Sequence, residues 1–354
     1  MNTQIKAIIA LIIFLYSCQG GSKNENPLFI GETVVINEFP KTVKLEGKQI
    51  ELTSFGAENM YLVDTFLVFA SSKLDTFYSI YSTNSKKHVI NLIPKGRGAN
   101  ETSGVVSPLF HEKNDNGDLK IFFQDRVYNC ISALNLTRSI REKKTCIERS
   151  LCPLPEPGMF GIFPLSDSLM FYHYFNLGDR KEYYATYNKQ LQKFSQNDSI
   201  SRYKLPNTGD MFLLNAYTKF QPRQQRYASA MHFLNQINIY SLKNKEMKCI
   251  VFQNVSDLQA VGKCPMPNKY EYYVDLVATE EKLFALYANQ TRKTWALENK
   301  PAEIHVFDWM GKPLYKVTLD EKILKIAIDK QKNSLYGMTA EEKIYQYDIK
   351  KLVQ

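Results

Sequence analysis

The five histidines are the first candidates for chemistry, because imidazole acts as an acid, a base or a metal ligand near neutral pH. They are scattered along the chain, at His88, His111, His173, His232 and His305. None belongs to a His-Glu-x-x-His pair, and no Gly-x-Ser-x-Gly elbow offers a serine nucleophile. The local motifs therefore predict no catalytic residue, no cofactor and no metal ligand.

Two short polar segments resemble ion-binding loops. Gly96-Arg97-Gly98 could cradle a phosphate on its backbone amides, but the Walker lysine and the dinucleotide spacing are missing. A structural turn is favoured, because glycine is needed wherever a connection takes a positive φ. The run Asn114-Asp115-Asn116-Gly117-Asp118 resembles part of a calcium loop but lacks the bidentate Glu. Its Asn-Gly pair favours a hairpin turn.

The first residues have the order of an export signal. A basic start is followed by an apolar run from Ala7 to Tyr16, too short to span a bilayer core of about 30 Å. The ending Leu15-Tyr16-Ser17-Cys18 resembles the bacterial lipobox, in which the cysteine becomes the first mature residue and carries acyl chains. We expect removal of residues 1–17, lipid attachment at Cys18 and a flexible tether at 18–28. An ordinary secretory signal with a chance cysteine is the alternative.

The residue after Cys18 bears on the destination of the protein. In bacteria with two membranes, an Asp at this position favours retention in the inner membrane. Gln19 therefore predicts a lipid anchor in the outer membrane. The side of the membrane that the protein faces is left open.

The formal net charge is +9, from 45 Lys and Arg against 36 Asp and Glu. Such a charge could indicate an anionic partner. The lysines fall in predicted turns, however, such as Ser85-Lys86-Lys87 and Lys243-Asn244-Lys245, where they solvate hairpins and protect sheet edges. No basic run with interleaved aromatic residues is present, so nucleic acid is not an expected partner.

Five cysteines remain when Cys18 is set aside. An oxidising compartment permits disulfides, but five thiols cannot all pair. The nearest pairs in sequence are Cys146 with Cys152 and Cys249 with Cys264, and both pairings stay open. No Cys-x-x-Cys spacing occurs that would indicate a redox motif or a zinc knuckle.

A strand-closing motif returns at even intervals and predicts how these residues are positioned. Its copies are Ile80-Tyr81-Ser82, Ala133-Leu134-Asn135, Thr186-Tyr187-Asn188, Ile239-Tyr240-Ser241, Val306-Phe307-Asp308 and Gln346-Tyr347-Asp348. The first four are spaced by 53 residues, and a period of roughly 40 to 55 is typical of a propeller or another repeat architecture. A high content of Tyr and Phe also favours sheets.

Around each motif the pattern is strand, strand, motif strand and outer strand, bounded by turn residues. Six such units predict an all-β fold, a six-bladed β-propeller within a single domain at 29–354. The sixth unit has three strands before the chain ends. We therefore expect an N-terminal strand, within the extended segment 33–45, to complete the last blade. Two stacked β-sandwiches are the alternative, but they leave the equal period unexplained.

Three segments resemble a known family: Leu62-Val63-Asp64-Thr65-Phe66-Leu67-Val68, the loop at 95–101 and the stretch 304–312. They look like the TolB-like six-bladed propeller lipoproteins of Bacteroides-type bacteria. The most specific element is the Gly-Arg-Gly-x-x-Glu loop, in which relatives often carry Pro at the position of Ala99. The resemblance covers the whole mature chain. It implies the propeller fold and little chemistry, because most of the family has no assigned function.

In a propeller blade, successive strands alternate in direction. The loops between second and third strands therefore lie on the same face as the connections between blades, and we call this the connection face. It is predicted to collect residues 95–101, 152–160, 254–268 and 289–301. The predicted binding residues on it are Lys95, Arg97, Glu101, Arg292 and Trp295. An exposed Trp beside cations anchors partners well, although a Trp folded back over the blade edge is the alternative.

Two functions are compatible with the sequence. The first is a non-catalytic binding or scaffold module, anchored to a membrane by its lipid, that recognises an envelope protein or a glycan. The second is a metal-dependent hydrolase or lactonase with a composite site at the propeller axis, where residues distant in sequence converge.

Overall fold

The computed structural model describes residues 28–52, 56–104, 107–125, 127–153, 159–176, 178–199 and 212–353. The predicted signal peptide at 1–17, the predicted lipid site Cys18 and all of the tether except residue 28 lie outside the described residues. So does the middle of the predicted loop 152–160, at 154–158. No helix in the described ranges is both long and apolar enough to cross a membrane.

The described residues form 26 strands in six sheets, and each sheet is one blade. Blade 1 contains β4 (Asn59–Val63), β5 (Phe66–Ala70), β6 (Thr76–Ser82) and β7 (Lys87–Pro94). Blade 2 contains β8 (Pro108–Lys113), β9 (Leu119–Asp125), β10 (Cys130–Asn135) and β11 (Ile147–Pro153). Blade 3 contains β12 (Met159–Pro164), β13 (Leu169–Asn176), β14 (Lys181–Asn188) and β15 (Lys193–Ser199).

The second half of the chain continues the pattern. Blade 4 contains β16 (Ala216–Gln221), β17 (Arg226–Met231), β18 (Gln236–Ser241) and β19 (Glu246–Phe252). Blade 5 contains β20 (Tyr270–Ala278), β21 (Lys282–Thr291), β22 (Glu303–Asp308) and β23 (Pro313–Leu319). Blade 6 contains β24 (Lys325–Asp329), β25 (Ser334–Met338) and β26 (Ile344–Asp348). Within every blade these strands pair antiparallel in chain order.

The blades close into a ring through six buried apolar clusters. Each cluster joins two neighbouring blades: 1 with 2, 2 with 3, 3 with 4, 4 with 5, 5 with 6, and 6 with 1. The core is therefore divided between the blades, and aromatic side chains fill much of it, including Tyr78, Tyr172, Tyr227 and Trp309. This arrangement confirms the predicted six-bladed β-propeller.

The repeated motif forms the end of the third strand of every blade. Its central side chain is buried in all six copies, with at most 8% exposure at Tyr81. Its last residue is Ser, Asn or Asp, and that side chain accepts hydrogen bonds from backbone amides two to four residues later. These acceptors are Ser82, Asn135, Asn188, Ser241, Asp308 and Asp348. The motif thus combines a core residue with a turn-forming residue.

An N-terminal strand does complete the last blade, but it is not the segment that the sequence favoured. The closing strand is β3 (Lys48–Ile50), which pairs antiparallel with β26. The segment 33–45 instead contributes to β1 (Glu32–Ile36) and β2 (Thr42–Leu45), which pair parallel with the outer strands of blades 4 and 5. Pro40 lies between β1 and β2, and it cannot donate a ladder hydrogen bond.

Gly47 separates the last two of these strands. Its amide donates to Asp320 Oδ2 at 2.9 Å, and a Cβ atom there would lie 2.6 Å from the Tyr347 ring. At Gly47 the chain thus steps from the edge of blade 5 to that of blade 6. The segment predicted as one strand is divided earlier, at 37–41, where the chain steps from the edge of blade 4 to that of blade 5.

Blade 2 carries a helix that the sequence did not predict, α1 (Leu136–Glu142), between its third and fourth strands. Strand β10 ends at Asn135, whose side chain accepts from the Arg138 amide at 2.9 Å and caps the helix. The outer strand β11 begins only after the helix, at Ile147.

Candidate functional site

The predicted binding loop at 95–101 joins blades 1 and 2, and its own glutamate holds its shape. Glu101 Oε2 accepts a hydrogen bond from the Gly98 amide at 3.0 Å. A Cβ atom at Gly96 would lie 1.9 Å from the same oxygen. The Gly-Arg-Gly-x-x-Glu pattern therefore has a packing explanation, because only glycine leaves room for the carboxylate against the loop backbone.

A residue that sequence reasoning missed, Arg149 on β11, ties this loop to blade 2. Its guanidinium donates to the carbonyl oxygens of Ala99 at 3.1 Å and Gly98 at 3.3 Å, and also to that of Glu101. The same group pairs with the fully buried Asp125 carboxylate at 2.6 Å. No local motif indicates this role, because Arg149 lies on the outer strand of the following blade.

The three predicted residues of the loop differ in how far they are engaged. Lys95 Nζ donates to Ser72 O at 2.7 Å and lies 5.6 Å from the centroid of the Phe77 ring. Glu101 is held as described above. Arg97 is exposed, and it makes no hydrogen bond or ion pair with any residue in the described ranges. Of the three, Arg97 has the side chain most available to a partner, and its role in binding stays a prediction.

The other two predicted residues lie on α3 (Arg292–Leu297), an insertion in blade 5. Trp295 is half-buried and packs against the core between blades 5 and 6. Lys322 Nζ lies 4.9 Å from the centroid of its ring and donates to Trp295 O. The ring is thus folded back over the blade edge, and its part in binding also stays a prediction.

Arg292 is exposed on the same helix, with Nε 3.7 Å from Glu271 Oε1. The Glu271 carboxylate is largely buried and also lies 3.3 Å from His232 Nε2. Both α3 and the loop at 95–101 follow from the topology as parts of the connection face. They belong to different blades, and no hydrogen bond or ion pair joins them within the described part of the chain.

A polar cavity of about 360 Å³ opens between blades 4 and 5 on the connection face. Its polar lining consists of Asn235, Gln253, Asn254, Ser256, Asp257, Tyr272 and Asn289. No Lys or Arg lines it, and Oδ1 of the single Asp caps α2 (Leu258–Lys263) by accepting from the amides of Gln259 and Ala260 at 2.9 and 3.2 Å. We call this cavity the amide pocket.

Asn235 is the most buried polar residue of the amide pocket, at 7% exposure. Its Nδ2 donates to Phe252 O at 2.5 Å, and its backbone amide donates to Ser256 Oγ at 3.1 Å. Its Oδ1 is buried and accepts no well-aligned hydrogen bond from the described residues. Burial raises the pKa of Tyr287, and the Asn235 side chain lies close enough to that hydroxyl to oppose this in part. Buried polar atoms in native proteins are nearly always satisfied, so this oxygen is available to a ligand or water that shares it with Tyr287.

A β-bulge shapes the opposite wall of the amide pocket. Glu271 pairs with Gln290 and Tyr273 pairs with Tyr287, so Ala288 and Asn289 of β21 lie opposite the single residue Tyr272 of β20. Asn289 takes a left-handed φ of 48° and is exposed. Bulges often re-aim side chains beside functional sites. Here the bulge places the Asn289 side-chain amide at the rim of the amide pocket, close to the half-buried Tyr272 ring.

The histidines do not converge. Three of them pair with glutamates: His173 with Glu182 at 3.3 Å, His232 with Glu271 at 3.3 Å, and His305 with Glu303 at 2.8 Å. Burial lowers the pKa of His305, although Glu303 opposes this effect. The described residues contain no group of three or more His, Cys, Asp or Glu suited to a metal ion.

The cysteines in the described residues are all free thiols. Neither of the pairings that the sequence left open is formed: Cys146, Cys152, Cys249 and Cys264 carry no disulfide, and Cys130 carries none either. Cys152 Sγ instead lies 2.9 Å from Tyr172 Oη in the core, where burial raises the pKa of the thiol.

Comparisons with known proteins agree with this geometry. A family model described as TolB-like 6-blade propeller-like matches residues 58–331. A solved structure of a Bacteroides fragilis protein described as exported is similar, with a TM-score of 0.56 and 12% identity over 89% of this chain and 98% of that one. A DUF4221 family member from Bacteroides vulgatus gives a TM-score of 0.54 and 11% identity over 92% and 98%. No curated protein matches the sequence.

Proposed function

Since the chain belongs to the TolB-like six-bladed propeller family, we propose that it is a non-catalytic binding module of the bacterial cell envelope. In this proposal it is exported, anchored in the outer membrane by a lipid on Cys18, and binds a neutral glycan in the amide pocket. The anchor rests on the lipobox-like ending Leu15-Tyr16-Ser17-Cys18 and on Gln19. Solved relatives of the same fold include a protein described as exported, which is compatible with this placement.

The observation that carries the glycan is the chemistry of the amide pocket. Amide side chains both donate and accept hydrogen bonds, as sugar hydroxyls do. The pocket supplies Asn235, Gln253, Asn254 and Asn289, and Tyr272 adds an aromatic surface for the apolar face of a sugar ring. The absence of Lys and Arg from the lining favours a neutral ligand over an anionic one. Its volume lies in the range of small-molecule sites.

The buried acceptor on Asn235 adds specificity to this argument. A ligand hydroxyl would give Oδ1 a well-aligned donor, which the described residues do not supply. A ligand without a donor at that point would leave a buried acceptor unsatisfied, at a cost of about 1–3 kcal/mol. Discrimination between saccharides that differ in one hydroxyl is therefore expected.

A glycan array probed with the mature protein tests the proposal, with two variants as a matched pair. Asn289 and Asn333 both have left-handed backbones, at φ 48° and 51°, which glycine tolerates. Asn289→Gly removes an amide from the amide pocket, whereas Asn333→Gly removes one from the opposite face of blade 6. For any saccharide retained, we expect Asn289→Gly to weaken the Kd about threefold to tenfold, as for the loss of one hydrogen bond.

Asn333→Gly is expected to bind as tightly as the unmodified protein. Equal binding by both variants would contradict the proposal that the saccharide binds in the amide pocket. If the array retains no saccharide and the protein captures an envelope protein instead, the partner is a protein and not a glycan.

The metal-dependent hydrolase or lactonase that the sequence left open has no specific observation in its favour. A third solved structure with a related shape is a luciferin-regenerating enzyme, at 11% identity over 86% of this chain and 95% of that one. Its TM-score of 0.48 carries no inference about activity. Strong thermal stabilisation by one divalent ion, removed by a chelator, would favour this second function.

A further inference from the structure

The positive charge of the protein is concentrated on the face opposite the connection face. The third strand of each blade ends on this face, and the segment that follows it lies at the outer rim. We call these six segments the basic rim: 83–86, 136–146, 189–192, 242–245, 309–312 and 349–353. Together they contain eleven Lys and Arg and one acidic residue, Glu142, for a formal charge of +10. The whole chain carries +9, so its excess of positive charge is confined to the basic rim.

Every blade contributes at least one cation to the basic rim. One from each blade, in order, is Lys86, Arg141, Lys189, Lys243, Lys312 and Lys350. Five of these side chains are exposed, and Lys189 is partly buried. The single acid of the rim, Glu142, is shared between Arg138 Nε at 2.7 Å and Lys144 Nζ at 3.0 Å. The rim therefore presents cations to solvent around the whole ring.

Acidic residues on the same face do not cancel this charge. The inner turns, between the first and second strands of the blades, hold six acidic and three basic residues and lie nearer the axis. Several of their charges pair with one another across blades: Glu280 with Arg223 at 3.0 Å, and Glu281 with Lys330 at 2.7 Å. The face as a whole thus keeps an excess of positive charge, and that excess lies at its outer edge.

The direction of β1 shows that the N-terminal segment enters the propeller on this same face. β1 runs parallel to β19, with Glu32 opposite Lys248. β19 begins at Glu246, directly after the rim segment 242–245. A Cβ atom at Gly31 would lie 2.7 Å from Met247 O, so the chain just before β1 is packed against the first residues of β19. β1 therefore starts at the end of blade 4 that carries the basic rim.

The distance from this entry point to the predicted lipid site is short. Leu28 and Phe29 are both 2% exposed and pack in the core between blades 3 and 4, which fixes the chain there. Leu28 is three residues before Gly31, so it lies within about 11 Å of it. Cys18 is ten residues before Leu28, so it lies within about 36 Å of Leu28. A lipid on Cys18 would therefore hold the face with the basic rim closer to the membrane than the connection face.

We propose that the basic rim lies against anionic phospholipid headgroups of the membrane that holds the anchor, with the connection face and the amide pocket turned away from it. This inference rests on the lipid anchor of the proposed function. The partner follows from charge and position, because phosphate-bearing headgroups are the anionic surface that the tether brings to this face. Each Lys or Arg near such a surface strengthens binding about fivefold. A lipid chain combined with a basic patch gives stable attachment.

Sedimentation of the mature chain with lipid vesicles tests the contact. The chain carries Cys18→Ser, so that no acyl group contributes to binding. We expect it to bind vesicles of phosphatidylglycerol and phosphatidylcholine, to release them as the salt concentration rises, and not to bind phosphatidylcholine alone. The combined variant Lys86→Gln, Lys243→Gln and Lys312→Gln should bind about tenfold more weakly or less, since it removes rim cations from three blades.

A matched control removes the same charge from the connection face. The combined variant Lys263→Gln, Lys293→Gln and Lys300→Gln changes three exposed lysines there and has the same net charge as the rim variant. It should bind the anionic vesicles as the unmodified chain does. Because all six side chains are exposed, neither variant is expected to lower the melting temperature.

Three results would overturn the proposal. One is a lack of binding to the anionic vesicles, and another is equal weakening by the two triple variants, which would make the attraction a matter of net charge. The third is binding to a soluble acidic polysaccharide without binding to the vesicles. The anchor itself is tested separately, by mass spectrometry of the Cys18 peptide from the exported protein. An unmodified Cys18 would contradict the anchor, while the vesicle measurement would still decide the lipid contact of the basic rim.

Discussion

At the scale of single residues, the polar residue that ends each third strand explains why the repeat is visible at all. Ser82, Asn135, Asn188, Ser241, Asp308 and Asp348 each accept from amides of the following turn. The preceding position needs an apolar side chain for the core between blades. A buried apolar residue followed by a turn-forming polar residue recurs in every blade. This recurrence makes the repeat recognisable in the sequence.

Arg149 is the residue on which the predicted binding loop depends. Removing it leaves the buried Asp125 carboxylate without its cation and the carbonyls of Ala99 and Glu101 without their guanidinium donor, whereas Gly98 O still accepts from the Glu101 amide. We expect Arg149→Ala to lower the free energy of unfolding by about 3 kcal/mol, at the lower end of values for a broken buried pair. Arg149→Lys should lose less, because it keeps the charge but not the planar fork.

Urea unfolding of the two variants and of Asp125→Asn checks this expectation. A double variant with both residues changed should be less destabilised than the sum of the single changes, since the two groups act together. A loss below about 1 kcal/mol in Arg149→Ala would contradict the role, since surface ion pairs contribute that little.

The loop also marks what the sequence was able to predict at this scale. Gly96, Gly98 and Glu101 were recognised together because the motif is local. Arg149 was missed because its contacts with the loop span about fifty residues and depend on how blade 2 packs beside blade 1. Asn235 was missed for a related reason: its role depends on burial between blades 4 and 5, and no sequence pattern records that.

At the scale of elements, the paired strands β20 and β21 shape the amide pocket. One bulge places Asn289 at the rim of the pocket, and a second makes Val274 an extra residue on β20. The sequence pattern predicts both strands but not the bulges. A single extra residue shifts which side chains face the core, and it does so without changing the residue types. In the first strand of blade 5, the sequence therefore predicts the strand itself but not the bulges that shape the proposed binding site.

The closing strand β3 yields a prediction at this scale. Ile50 is buried at 5% exposure and pairs with Ile344, whereas the adjacent Gln49 is exposed. We expect Ile50→Asp to lower the free energy of unfolding by about 3 kcal/mol, because a carboxylate would enter the core between blades 6 and 1. Gln49→Asp should change it by no more than about 0.5 kcal/mol.

Equilibrium unfolding followed by the fluorescence of the buried Trp309 measures both changes. If the two substitutions cost the same, β3 does not close the ring as described. The sequence predicted that an N-terminal strand closes the ring, but it placed that strand a few residues too early. The N-terminal segment contains three extended pieces, and the longest is not the one that pairs with β26. The choice among them depends on the path of the chain around blades 4, 5 and 6.

At the scale of the whole molecule, the ring brings together residues that no local motif connects. The number of blades and most strands were predictable, because each blade repeats the same local demands. The amide pocket was not, because it needs Asn235 from one blade and Asn289 from the next. A propeller can keep its fold while such inter-blade positions vary, so the residues that determine the fold differ from those that determine the function.

The central claim is that the amide pocket is a glycan site, and a crystal structure of the mature protein with a saccharide retained on the array tests it most directly. We predict a sugar ring over Tyr272, with a hydroxyl donating to Asn235 Oδ1 and another bonded to Asn289. Electron density for the saccharide elsewhere on the protein, with the amide pocket empty, would contradict the claim.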